Sequence, residues 1–390
     1  MISPRPGAPR AHAALLAAGL TGLLAACTPT PSPTTIGSSA PAPPVIDQTD
    51  REMVALAFIA YTGERIEGSD SEVSQKLVPC FVDELAKQPL AKDWELVWGP
   101  VVYRFDFALF NDNLLYAVQR HNDPTNLTVS VRGTNAPALF DWLIEDLSVF
   151  RLHDWPYGEP EGLQPKIAEG TWKGLEILQK LVPPDRVPGA GKGISGFLGE
   201  RVAASAPART TIHVTGHSLG GALSPVLALW LADTRAEWDP DNLADLHVAP
   251  FAGPTQGDAD FAAYYDQRLG TSTTRFHDAV DLATLIWATA DMATIPNLYL
   301  PVAKMDEAER IALDALILGT EDKGYRQILA DQPPLAYREV NPDVTSFLDQ
   351  ADWQHHCGYV CGLGVQETLL PVSEDCMTTP ANPCPQCPGS

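Results

Sequence analysis

The chain has 390 residues, a formal net charge of −23 and 45% hydrophobic residues. Its excess of acidic side chains opposes binding to nucleic acid and to anionic lipid headgroups, although simple solubility is the preferred interpretation. Nucleic acid is not an expected partner. The apolar fraction is sufficient for a large core, and α/β folds often use a chain of this length in one domain.

The first residues have the layout of a secretory signal peptide. Arg5 and Arg10 form a basic head, and the apolar run 13–26 that follows is too short for a permanent transmembrane helix. The run ends in LAAC, and small residues before a cysteine resemble the lipobox of bacterial lipoproteins. The resemblance implies cleavage before Cys27, lipid on that residue and attachment to a bacterial cell envelope, with the outer membrane as the expected location. An ordinary signal peptide cut nearby is the alternative.

A spacer follows the predicted lipidation site. Residues 28–46 carry no charge and are dense in proline, threonine, serine and alanine, a composition typical of extended tethers. The sequence therefore predicts a signal peptide at 1–26, a lipidated cysteine with its tether at 27–48, and a globular domain at 49–390.

Cysteines are concentrated near the carboxyl terminus. After Cys27 the chain contains six of them: Cys80, Cys357, Cys361, Cys376, Cys384 and Cys387. In an exported protein an even number predicts disulfides, here up to three, but the sequence does not give their pairing. The alternative is a zinc site, because the Cys-x3-Cys and Cys-x2-Cys spacings and two adjacent histidines would permit one. We expect no metal, since disulfides are favoured outside the cytoplasm.

Predicted strands and helices alternate along the globular part. The strands are predicted at 94–107, 114–119, 127–131, 212–215, 247–251 and 273–277, and the helices at 53–61, 172–181, 222–233 and 258–268. The glycine-rich stretch 189–199 is predicted to be a loop, and 282–350 a helical insertion before a cysteine-rich tail. This alternation predicts an α/β fold with a mostly parallel sheet and helices on both faces.

Residues 216–220 (GHSLG) match G-x-S-x-G between a predicted strand and a predicted helix. A sharp strand-to-helix turn needs small flanking residues, since the backbone approaches its neighbours closely, and it exposes the serine hydroxyl above the sheet. The first turn of the helix presents N–H groups and partial positive charge to a developing oxyanion. Ser218 is therefore the candidate nucleophile.

Several segments resemble the class 3 lipase family, the fungal-lipase-like α/β-hydrolases. They are 212–223 (IHVTGHSLGGAL), 129–147 (VSVRGTNAPALFDWLIEDL), 251–264 (FAGPTQGDADFAAY) and, more weakly, 167–175 (IAEGTWKGL). Together they cover roughly residues 127–281, with a further short patch near 356. The resemblance implies an α/β-hydrolase fold for 49–390 and a lipid ester substrate, without a cofactor.

A serine nucleophile needs a histidine base oriented by a carboxylate, and in this fold the order is serine, acid, histidine. By resemblance Asp281 is the expected acid, with Asp278 as its rival. His356 is the expected base, with the neighbouring His355 as the alternative. Two other histidines follow the nucleophile. One of them precedes the expected acid and the other lies within the acid's own strand segment, so both are badly placed to act as the base.

The oxyanion is expected to bind two N–H groups. Leu219, after the nucleophile, supplies one of them, and the resemblance places the other at Thr134. A predicted helix within 135–150 has an apolar face formed by Leu139, Phe140, Leu143, Ile144 and Leu147. In the family this region covers the site, although a helix packed on the core would have the same periodicity.

The sequence thus predicts a serine carboxylic-ester hydrolase, a triacylglycerol lipase or esterase that forms an acyl-enzyme. A phospholipase A-type hydrolase is one alternative. Another is a non-catalytic surface lipoprotein that binds an apolar ligand, although such a protein has no need of a full set of catalytic candidates.

Overall fold

The structure is a computed structural model that describes residues 42–103, 113–133, 149–373, 375–376, 384 and 387–388. The chain divides into two units, residues 1–40 and 41–390, and every described residue belongs to the second. The predicted signal peptide and Cys27 lie outside the described residues, so their assignments stay predictions.

The strands are β1 (Trp94–Tyr103), β2 (Asn113–Arg120), β3 (Asp123–Val131), β4 (Leu152–Asp154), β5 (Lys166–Ala168), β6 (Thr210–His217), β7 (Ala244–Phe251), β8 (Gly257–Asp258) and β9 (Tyr325–Arg326). The central sheet has the order β1-β2-β3-β6-β7. Its first three strands are antiparallel neighbours, whereas β3, β6 and β7 run parallel. A small second sheet has the order β4-β5-β8-β9.

The helices are α1 (Gln48–Ile59), α2 (Asp70–Lys87), α3 (Glu169–Lys180), α4 (Ile194–Ser205), α5 (Leu219–Asp233), α6 (Arg235–Trp238), α7 (Ala259–Leu269), α8 (Thr289–Met292), α9 (Glu307–Thr320) and α10 (Phe347–Gly362). One core cluster contains residues of α3, α4, α5 and α7, and a second contains residues of α1, α2 and α10. Strand residues contribute to both clusters, because alternate side chains of a strand point to opposite faces of the sheet. The predicted α/β fold class is therefore confirmed, with a mixed sheet that is parallel beside the β6–α5 turn.

Several predicted elements differ from the structure. The stretch 189–199 is not entirely a loop, because α4 begins at Ile194. Gly196 and Gly199 lower its intrinsic helix propensity, but buried Phe197 and Leu198 stabilise the helix through packing. The segment 273–277 forms only isolated bridges to β7 rather than a full strand. Helices α2 and α10 were not predicted.

The cysteines after Cys27 form the disulfides Cys80–Cys376, Cys357–Cys384 and Cys361–Cys387. Disulfide sulfurs are not thiolates and do not bind zinc, so this pairing contradicts the zinc alternative. Two of the bridges tie the tail to α10, which contains Cys357 and Cys361. Within the described ranges no helix is both long and apolar enough to cross a membrane.

Candidate active site

Ser218 lies in the turn between β6 and α5, with φ 63° and ψ −125°. A non-glycine residue in this region of backbone space is strained, so the surrounding structure has to hold it there. The Ser218 N–H donates to the carbonyl of Phe251 at 3.0 Å, which ties the turn to the end of β7. The side chain is largely buried, with 4% of the residue exposed.

The glycines of this turn have no room for a side chain. A Cβ at Gly216 would overlap the carbonyl of Gly220, and a Cβ at Gly220 would overlap the carbonyl of Val131 at the end of β3. A Cβ at Gly221 would overlap the carbonyl of Phe251. These contacts account for the small residues around the serine and allow α5 to begin directly against the strand ends.

A carboxylate and an imidazole meet near this turn. Nδ1 of His355 lies 3.2 Å from both carboxylate oxygens of Asp281, and both side chains are buried. The Ala283 N–H donates to Asp281 Oδ1 at 2.9 Å, and the Tyr359 hydroxyl donates to Oδ2 at 2.8 Å. With two further donors fixing the carboxylate, Asp281 can orient the imidazole of His355.

The geometry does not favour the predicted choice of His356 as the base. Nδ1 of His356 lies 3.0 Å from the carbonyl of Asp352, one turn earlier in α10, and 3.4 Å from its carboxylate. Burial alone would lower the pKa of His356, but the hydrogen bond and charge of Asp352 outweigh burial and raise it. His356 is thus paired with an acid of its own helix, and His355 faces Asp281.

Helix phase distinguishes the two histidines, and this signal is present in the sequence. Phe347, Ala351, His355 and Tyr359 recur every four residues and are all buried. Recognising this helix in the sequence would have placed His355 on the face toward the core. The side chain of His356, one residue later, is 38% exposed.

The comparisons with known proteins agree with this geometry. The family model described as "Lipase (class 3)" matches residues 128–288. The crystal structure of M37 lipase matches with a TM-score of 0.76 and 36% sequence identity, over 82% of this chain and 93% of that chain. The chain belongs to the class 3 lipase family. As a class 3 lipase with an α/β-hydrolase fold, it is an ester hydrolase, and the match supports a lipid ester as its substrate.

More distant structures also match this class 3 lipase. Lipase II from Rhizopus niveus is 20% identical over 63% of this chain and 76% of that chain, with a TM-score of 0.42. The lipase from Rhizopus microsporus var. chinensis is 18% identical over 65% and 75%, with a TM-score of 0.43. The curated proteins include no significant match.

The rival acid of the lipase, Asp278, is also buried, but it has no histidine partner among the hydrogen bonds of the described residues. Its Oδ1 accepts from the Val280 N–H at 3.1 Å, whereas its Oδ2 has no hydrogen-bond partner within the described part of the chain. Burial raises the pKa of Asp278 to about 7, and the nearby charge of Asp281 acts in the same direction. Of the two aspartates, only Asp281 contacts His355.

Of the two predicted oxyanion residues, Leu219 is among the described residues of the lipase. Leu219 is the first residue of α5, where helix N–H groups have no partner within the helix. Thr134 and the predicted apolar helix at 139–147 lie outside the described residues. Gly133, one residue before Thr134, lies against Ser218, since a Cβ built on it would be 3.0 Å from the Cβ of Ser218.

Sequence reasoning did not identify several side chains that hold the site together. One is Tyr359, whose contact with Asp281 depends on the phase of α10, a helix that was not predicted. Tyr61, which contacts His217 beside the nucleophile, is 156 residues away in the sequence. No local pattern could have revealed that contact.

Proposed function

We propose that this class 3 lipase hydrolyses lipid esters by an acyl-enzyme mechanism in which Ser218 is the nucleophile, His355 the base and Asp281 the acid. The observation that carries the proposal is the state of His355. Its Nδ1 faces Asp281, and its Nε2 is buried with no hydrogen-bond partner among the described residues. A buried nitrogen without a partner is costly in a folded protein, which supports a role in accepting a proton during the reaction.

The proposed first half-reaction begins at the serine. A carboxylate only accepts hydrogen bonds, so Nδ1 of His355 carries the hydrogen and Nε2 has a free lone pair. Nε2 takes the proton from the Ser218 hydroxyl as its oxygen bonds to the ester carbonyl carbon. The negative charge that develops on the carbonyl oxygen is stabilised by the N–H groups of Leu219 and Thr134.

Collapse of this intermediate breaks the bond to the alcohol, which leaves with the proton from Nε2 of His355. Water then enters, gives a proton to Nε2 and attacks the acyl carbon. As the bond from the acyl carbon to Ser218 Oγ breaks, Nε2 returns this proton to Oγ, and the fatty acid leaves. Asp281 stabilises the imidazolium in both halves while remaining ionised itself.

The substrate we propose is an acylglycerol, and hydrolysis of phospholipid is the second candidate. A triacylglycerol carries no charge, whereas the chain has a formal net charge of −23. Electrostatic repulsion therefore disfavours anionic phospholipid surfaces relative to neutral ones. A non-catalytic role in binding an apolar ligand would leave the Asp281–His355 pair without a purpose.

Activity measurements on matched variants test this function. Wild type, Ser218→Ala and Ser224→Ala would be assayed on emulsified triacylglycerol, vesicles of anionic phosphatidylglycerol and a short-chain chromogenic ester. Ser224 is a buried serine of the same helix whose hydroxyl has no hydrogen-bond partner within the described residues, so it is a suitable control. We expect triacylglycerol to be hydrolysed fastest, and Ser218→Ala to lose at least about 1,000-fold while Ser224→Ala stays near wild type. Equal activity of Ser218→Ala and wild type would exclude the mechanism.

We further propose that the lipase is exported and held at a bacterial membrane by lipid on Cys27. The support is the sequence of the amino terminus: a basic head, an apolar run, small residues before the cysteine and an uncharged tether. Full-length protein expressed in a bacterium should partition into the detergent phase of a cloud-point extraction, and Cys27→Ala should move to the aqueous phase. Aqueous partition of the wild type would contradict the anchor without affecting the hydrolase proposal.

A further inference from the structure

The histidine next to the nucleophile bridges two parts of the active site. The Tyr61 hydroxyl lies 2.9 Å from Nδ1 of His217, and Nε2 of His217 lies 2.7 Å from the backbone carbonyl oxygen of His355. His217 is fully buried, and its ring centroid is 4.6 Å from that of His355. One imidazole therefore connects the turn that carries Ser218 with the residue that carries the base.

The chemistry of the partners fixes the direction of both hydrogen bonds. A carbonyl oxygen only accepts, so Nε2 of His217 carries the hydrogen and donates to His355. In the neutral ring Nδ1 is then the acceptor, and the Tyr61 hydroxyl donates to it. Burial, together with the nearby imidazoles of His355 and His356, keeps the pKa of His217 well below its ordinary range. His217 is thus neutral, in a single tautomer selected by its two partners.

Tyr61 is itself held beside Gly133, just after the end of β3. The buried guanidinium of Arg132 donates to the carbonyls of Ala60 and Thr62, on either side of Tyr61. A Cβ on Gly133 would overlap the Tyr61 hydroxyl, so only glycine allows the tyrosine this close to the end of β3. The residues after α1 therefore act as a fixed support for the imidazole of His217.

We propose that His217 is a positioning residue that sets the separation between the Ser218 hydroxyl and Nε2 of His355, and that Tyr61 selects the tautomer it needs. This inference rests on the proposed function, because it assumes Ser218 and His355 as nucleophile and base. Residue 217 is covalently next to the nucleophile, and its bond goes to the backbone of the base itself. The link therefore holds the backbone of the base, whereas Asp281 contacts its side chain.

Loss of this link has a specific kinetic consequence. With no donor on residue 217, the backbone of α10 at His355 can shift relative to the β6–α5 turn. A displacement on the order of 1 Å from the reactive geometry can reduce a rate by about 100-fold. Because the side chain of His217 is fully buried, substrate binding is not expected to change.

The experiment compares His217→Leu, His217→Gln and Tyr61→Phe with wild type. Leucine removes both hydrogen bonds, whereas the glutamine amide can restore a donor toward His355. His213→Leu, four residues earlier in β6, is the matched control for loss of a histidine from the same strand. For each variant kcat and KM would be measured per active site, with sites counted by covalent titration using a phosphonate ester, alongside the melting temperature.

We expect His217→Leu to lose about 10- to 100-fold in kcat with KM within about twofold of wild type. His217→Gln should recover most of that loss, and Tyr61→Phe should lose a smaller factor, while His213→Leu keeps the wild-type kcat. Tyr61→Phe preserves the shape of the core, so it tests the proposal even if His217→Leu does not fold.

Wild-type kcat per titrated site in Tyr61→Phe and, where it folds, in His217→Leu would overturn the positioning role. A folded His217→Gln variant no better than a folded His217→Leu would overturn it too. The activity of Ser218→Ala separates failure of the positioning role from failure of the proposed function. If Ser218→Ala is inactive while the His217 variants are normal, only the positioning role fails. If Ser218→Ala is active, the proposed mechanism itself fails.

Discussion

Nδ1 of His355 lies 3.2 Å from both carboxylate oxygens of Asp281, and the hydroxyl of Tyr359 donates to that carboxylate from one turn further along the same helix. Helix α10 therefore supplies both the imidazole of His355 and the Tyr359 hydroxyl that donates to the carboxylate of Asp281. The carboxylate also caps the short 3₁₀ helix at Leu282–Leu285 through the Ala283 N–H. This arrangement fixes the pair from two elements and leads to testable differences between neighbouring residues.

The two adjacent histidines should behave differently on substitution. Because His355 contacts Asp281 and His356 contacts Asp352, His355→Ala should lose at least about 1,000-fold in kcat/KM, and His356→Ala should stay within about threefold. Steady-state hydrolysis of a short-chain ester measures both. A larger loss in His356→Ala than in His355→Ala would reverse the assignment.

The raised pKa of Asp278 predicts a pH dependence of the free energy of unfolding. The pKa of Asp278 is raised from 3.8 to about 7, so the folded protein holds this proton more tightly than the unfolded chain does. Between these values the unfolded chain binds fewer protons, so the contribution of Asp278 to the free energy of unfolding falls as pH rises. The total loss is about 4 kcal/mol at most, since each pKa unit corresponds to 1.36 kcal/mol.

Asp278→Asn removes this titration. In urea unfolding at pH 5 and pH 8, wild type should lose stability relative to Asp278→Asn at the higher pH. Parallel pH dependence of the two proteins would show that Asp278 is not a buried acid with a raised pKa. Asp278→Asn should also keep most of its activity, whereas Asp281→Asn should not.

A methyl group at Gly220 should disrupt the nucleophile turn. It would overlap the carbonyl of Val131, so Gly220→Ala should cost about 1–3 kcal/mol in stability and at least about tenfold in kcat. Gly196→Ala is the control, because in α4 a Cβ at that position meets no atom within 4 Å. That variant should be stabilised by about 0.5–1 kcal/mol. Equal effects of the two substitutions on activity would contradict the packing described for the turn.

The Cys357–Cys384 disulfide should stabilise the helix that carries the base, since Cys357 is two residues after His355. Its removal in the double variant Cys357→Ala/Cys384→Ala should cost about 2–4 kcal/mol. Cys384→Ala alone should lose a similar amount, because either substitution removes the cross-link. Thermal unfolding monitored by circular dichroism measures both, and an unchanged melting temperature in Cys384→Ala would refute the effect.

The parts of the site that follow from local chemistry were predictable from sequence. The β6–α5 turn was recognised because the glycines around Ser218 are required by backbone contacts within a few residues. Asp281 was expected from the resemblance to the class 3 lipase family, at its place after a predicted strand, with Asp278 as its rival. In both cases the decisive residues lie close together in the chain.

The features that the sequence did not predict depend on helix phase or on contacts between residues far apart in the chain. Without recognition of α10, nothing separated His355 from His356, since adjacent residues on a helix point in directions about 100° apart. α4 was missed because buried side chains stabilise it in spite of its glycines. Tyr61 contacts His217 although the two are 156 residues apart in the sequence, so only tertiary packing brings them together.

Covalent labelling with a fluorophosphonate, followed by peptide mass spectrometry, tests the central claim most directly. We expect one adduct on the peptide that contains Ser218, formed at similar rates in wild type and His356→Ala and at least about 100-fold more slowly in His355→Ala. An adduct on another residue, or labelling of Ser218 at the wild-type rate in His355→Ala, would contradict it.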